Sequence, residues 1–186
     1  MSIELLNERR HHSNIENGWQ PYRKRDELEV IMESSAKQGF RFSRFMRLLP
    51  VGEDKVLVVL KGHLLIEELL SDILTLHLSL DNPLGIKITN NMMFAKKLEL
   101  CWALSKSTEL PDEFWVAIKK LNTIRNKYSH NISPSGIDVT IQDFTCEVER
   151  LDPFGYIKDG GDSKFELSIS CLYIMLNEQL GALRNS

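Results

Sequence analysis

Residues 121–132 read LNTIRNKYSHNI, and they are followed by the breakers SPSG at 133–136. Leu121, Ile124 and Tyr128 continue the helical spacing begun by Phe114 and Ile118, so the stretch closes an amphipathic helix. Pro111 suits the first helical position, and Asp112 and Glu113 suit the positive end of the helix dipole. The last two turns then carry Arg125, Asn126 and His130. Asn126 and His130 are four residues apart and share a face. Arg125 is rotated about 100° from Asn126, but its long side chain reaches toward the same side. One reading is a solvated helix end, where a cation meets the negative end of the dipole. The other is a site that handles phosphate. Imidazole exchanges a proton near neutral pH, and guanidinium offers fixed donors to phosphate oxygens.

Working outward, residues 53–80 form the longest helix expected, and leucine, valine and isoleucine cover most of its circumference. Asp54, Lys61, Glu68, Asp72 and Thr75 make a narrow polar strip. His63 and Glu67 lie outside that strip on one face, where unpaired burial costs a few kcal/mol. They read equally as a satisfied core contact or as support behind a site on the facing helix. DNPLG at 81–85 stops this helix, and another is expected from about 90 to 105.

Residues 23–49 are also helical in pattern, with room for a break at Gly39 and a stop at Pro50 and Gly52. Phe42, Phe45, Met46 and Leu49 fall on one arc. Arg41, Arg44 and Arg47 fall on the other, giving either an ordinary basic outer face or arginines interleaved with aromatics for RNA stacking. Residues 1–22 read as a flexible N-terminal arm, and His11–His12 within it as surface residues rather than metal ligands. IDVTI at 137–141 alternates and predicts a short strand or extended segment. One short helix is expected in 142–159. Ser163 and Glu166 then form a capping box for a last helix running through Ile169, Leu172, Leu176 and Leu180. The sum is an all-α, antiparallel bundle of four to five helices, with residues 23–186 as a single domain.

The chain has 186 residues, enough for one sizeable core. Its net charge of −3 argues against broad attraction to nucleic acid, so any such contact must use a local basic patch such as Arg41, Arg44, Arg47 and Lys127. Cys101, Cys146 and Cys171 lack paired spacing and read as small buried hydrophobes in a reducing compartment. The polar N-terminus shows no signal peptide. The most apolar run is broken by Lys61, His63, Glu67, Glu68 and Asp72, so no membrane partner and a cytoplasmic location are expected. Phosphate-binding glycine loops, a nucleophile elbow and a metal-ligand cluster are not found.

RNKYSH at 125–130 resembles the signature of HEPN domains, an Arg and a His separated by four to six residues, with a polar residue directly after the Arg. KGHLLIEELLSDIL, FAKKLELCWAL and LPDEFWVAIKKLNTIRNKYSH follow in an order similar to that family, over roughly residues 55–132. The layout also resembles the mannitol operon repressor-like branch of helical regulators. The resemblance implies a dimerising four- or five-helix bundle, and for many members a metal-independent endoribonuclease of toxin–antitoxin, antiphage or RNA-processing systems. It makes Arg125 and His130 the catalytic pair, with Asn126 beside them, RNA as substrate, no cofactor, and an antitoxin protein as a possible partner. In a common toxin subgroup a Tyr two places after the His receives nucleotides. Ile132 stands there in this chain, so that regulation is not implied. The alternatives are a non-catalytic regulator or interaction module of the same fold, and a nucleotide-binding subunit beside a nucleotidyltransferase.

Overall fold

The computed structural model describes residues 21–80, 82–89, 91–105 and 110–185, and side chains from residue 33 onward with the exception of residues 34 and 80. Residues 1–20, including the two adjacent histidines, lie outside the described residues. Among the described residues the fold is all α: α1 (Pro21–Leu48), α2 (Lys55–Leu80), α3 (Phe94–Leu104), α4 (Asp112–His130), α5 (Ile137–Leu151) and α6 (Lys164–Asn185). No described helix is long and apolar enough to cross a membrane.

Each expected stop is present. Gly52 and Gly85 turn the chain after α1 and α2 with positive φ, which glycine adopts without a Cβ penalty. Asp54 starts α2, its Oδ1 accepting from the backbone N–H of Val56 at 2.8 Å and of Leu57 at 3.2 Å. Helix α1 begins at Pro21, earlier than the expected arm allows, and runs through Gly39 without a break. Helix α6 begins after a 3-10 turn at Gly161–Ser163, which includes the serine expected to cap it.

The strand expected at 137–141 is instead the first turn of α5. Ile137, Ile141, Phe144 and Val148 are all buried, at spacings of four, three and four, whereas Val139 is 62% exposed. The alternation over five residues was the accidental start of a longer helical stripe, and burial of that stripe overrides the β-preference of its branched residues.

Helix α2 packs against α3, α4 and α6; α6 also packs against α1 and α5, and α4 against α5. Buried side chains from all six helices join one hydrophobic cluster, with Trp115, Phe45, Phe114 and Phe144 among its largest members. Gly62 lets α6 approach α2 closely, since a Cβ there would stand 2.7 Å from Ile169 Cγ2. The apolar arc of α1 splits in the structure. Phe45 and Leu49 are buried, but Phe42 and Met46 remain 37% and 49% exposed. Burial pushes the Cys101 and Cys171 thiols up to about 12, which keeps them protonated. Cys146, expected inside, is exposed.

Candidate functional site

Helices α2 and α4, with the start of α3, enclose a cleft of about 370 Å³. Its walls include His63 and Glu67 from α2, Phe94 from α3, and Asn122, Arg125 and Asn126 from α4. Two groups of residues distant in sequence thus share one space, as helical spacing on both elements suggested.

His63 is 2% exposed and stacks on Phe94 with ring centroids 4.0 Å apart. Its Nε2–H donates to Asn122 Oδ1 at 3.0 Å, while Nδ1 is buried without a hydrogen-bond partner among the described residues. Burial lowers the imidazole pKa, and nearby Arg125 lowers it further, against opposing effects from the Asn122 bond and Glu67. His63 is therefore neutral at pH 7. It needs a partner on α4, as expected, but finds it at Asn122 rather than at the Arg–Asn–His motif.

Glu67 turns away to Lys97, whose Nζ lies 2.7 Å from its Oε1 and whose side chain is only 3% exposed. This pair removes the negative charge that Glu67 would otherwise bring to the cleft. Lys97 was not singled out in the sequence, although it sits between Phe94, Leu98 and Cys101 on the buried face of α3. A cation at such a position needs an anion facing it, and Glu67 was the free candidate. Asn122 was likewise readable, one turn before Asn126 on the polar face of α4.

Arg125 is half-buried, and its Nη1 donates to Asn126 Oδ1 at 3.1 Å. Among the described residues it has no carboxylate partner, and it lines the cleft. His130 is exposed at the last position of α4 and does not line the cleft. Helical geometry places it about 6 Å further along the axis than Asn126. The motif is thus divided, with Arg125 and Asn126 in the wall and His130 beyond the rim.

The basic candidates on α1 have other employment. Arg41 Nε donates to Asn177 Oδ1 at 2.9 Å, and Arg44 forms a two-pronged pair with Glu68 at 2.5 and 3.2 Å. Arg47 is exposed. Lys127 Nζ donates to Thr140 Oγ1 at 2.8 Å, tying α4 to α5. Among the described residues no three His, Cys, Asp or Glu side chains cluster as metal ligands do.

No family model, curated protein or solved structure matches the chain.

Proposed function

We propose that the protein is a metal-independent endoribonuclease of the HEPN type, with Arg125 and His130 as its catalytic pair. The observation that supports this reading is the cleft itself: a guanidinium without a carboxylate partner among the described residues, set among amides, beside a helix end that carries an accessible imidazole. In this reaction the ribose 2′-oxygen attacks the adjacent phosphorus as its proton is removed. The P–O5′ bond breaks, and the departing 5′-oxygen receives a proton. The products are a 2′,3′-cyclic phosphate and a 5′-hydroxyl. Arg125 stabilises the extra negative charge on the phosphorane-like transition state, and His130 transfers a proton at one of the two oxygens. His63, held neutral in the wall, orients α4 through Asn122.

Two copies facing across a two-fold axis would bring two such sets to one phosphodiester and compensate for the single arginine in each. A dimer at micromolar concentration in sedimentation is the expected result, and a monomer that still cleaves RNA would remove this part of the proposal.

The decisive experiment is cleavage of single-stranded RNA in EDTA. Arg125→Ala and His130→Ala should each lower the rate by about 10²-fold or more, while Lys119→Ala, exposed on α4, should leave it unchanged. Wild type and both variants equally inactive on varied RNAs would sink the reading. A second reading, a non-catalytic regulator or interaction module akin to mannitol operon repressor-like proteins, would then gain. Phe154 and Tyr156 favour it, stacked at 5.6 Å and 61% and 69% exposed beside an apolar groove along α6.

A further inference from the structure

The amides around the cleft are used on one side only. Asn122 Oδ1 accepts from His63 and Asn126 Oδ1 accepts from Arg125. Each of these bonds uses one of the two lone pairs of an amide oxygen and leaves the NH₂ group, with two donors, for another partner. Among the described residues neither NH₂ group has one. Glu67, the one carboxylate in the lining, is engaged by Lys97, and His63 Nδ1 lies buried behind the surface. An occupant therefore meets donors from Asn122, Arg125 and Asn126, against Glu67 Oε2 as the carboxylate oxygen that Lys97 does not hold.

We propose that this cleft holds a nucleotide and selects the keto bases uracil and guanine over cytosine and adenine. Uracil O4 and guanine O6 are acceptors where cytosine N4 and adenine N6 are donors, and a donor set against a donor leaves both unpaired. The volume of about 370 Å³ lies in the range of small-ligand sites, about 300–1,000 Å³. Met92 and Met93 at the mouth offer polarizable surface to the face of a base. The selection rests on Arg125 as the residue that holds phosphate, the same role it has in the proposed reaction.

The test titrates the full chain with the 3′-monophosphates of uridine, guanosine, cytidine and adenosine, followed by NMR, with RNA cleavage measured on the same preparation. The keto nucleotides should bind about fivefold or more tightly than the amino nucleotides, the scale of one hydrogen bond. Asn122→Asp keeps an acceptor for His63 Nε2–H but exchanges the free donor for an acceptor, so the uridine-to-cytidine ratio should collapse or invert. The ratio is the readout, because the added charge weakens every phosphate alike. Asn126→Asp makes the same exchange on an exposed residue and serves if the first variant does not fold. Equal binding of all four, binding of none, preference for the amino bases, or an unchanged ratio in the folded aspartate variants overturns the proposal. Keto preference without RNA cleavage would remove the endoribonuclease reading and leave base selection in place.

Discussion

Arg41 and Arg44 on α1 and Arg125 on α4 occupy similar settings in the sequence, each close to aromatic and aliphatic residues on an amphipathic helix. In the structure they differ in where their donors go. Arg41 reaches into α6 and Arg44 into α2, each to a specific acceptor, whereas Arg125 among the described residues meets only the neighbouring amide of Asn126. Arg41 and Arg44 also line a cleft, of about 770 Å³ beside α2, so what sets Arg125 apart is that the other two each give a donor to an acceptor on another helix. Charge pattern along a helix does not distinguish these cases, because the acceptors at Asn177 and Glu68 lie on other elements.

The largest contrast is in activity. Arg125→Ala should reduce RNA cleavage by about 10²–10³-fold, the usual loss for a missing transition-state donor, and leave stability nearly unchanged. Arg41→Ala should show the reverse. Its Nε is the donor that satisfies Asn177 Oδ1, and Asn177 is only 3% exposed. Stranding that oxygen costs about 1–2 kcal/mol, in the lower part of the range for such groups. The lower part applies because alanine also removes Arg41 Nη2, itself buried without a partner among the described residues. Chemical denaturation of both variants beside their cleavage rates checks the crossing. Loss of activity in a fully folded Arg41→Ala would break the comparison and return α1 to the RNA surface.

A smaller effect appears in the pH dependence. His63 has a lowered pKa in the folded state, so on acidification the unfolded chain takes up its proton first, near the ordinary value of about 6.5. Stability should fall as pH drops through that value toward the folded pKa, and be fully present above it. His63→Gln should flatten this part of the profile, measured as midpoint denaturant concentration between pH 5 and 8. An unchanged slope would mean that another group carries it.

Much of the architecture was legible because it depends on local signals. Proline, glycine and the 3.6-residue spacing marked the ends of α1, α2 and α4 to within a few residues. At α5 a five-residue window showed period two, and only the continuation through Phe144 and Val148 revealed the helix. The cleft was half-legible. The sequence pointed to His63, Glu67, Arg125 and Asn126, which share it, but placed His130 among them, although helix rise carries that residue past the rim. Lys97 shows what pairing across helices hides. A lysine within an apolar stripe reads as a surface residue until the carboxylate of another helix faces it.

The smallest expected effect belongs to Arg44→Ala, and it isolates the electrostatic part of the comparison. Arg44 and Glu68 form a good two-pronged geometry, but their side chains are 41% and 55% exposed. Solvent screening and the entropy of fixing two long side chains limit such pairs to about 0–1 kcal/mol. Removing Arg44 should therefore cost no more than this in denaturation, and the cost should shrink as salt is raised. Cleavage of RNA should stay within about twofold of wild type, because Glu68 already occupies the guanidinium that a phosphate would need. Arg44→Ala combined with Glu68→Ala should then be close in stability to either single variant. If cleavage instead fell tenfold in Arg44→Ala and recovered in Arg44→Lys, Arg44 would be exchanging Glu68 for phosphate. The distinction between occupied and open arginines would then describe only the unliganded protein.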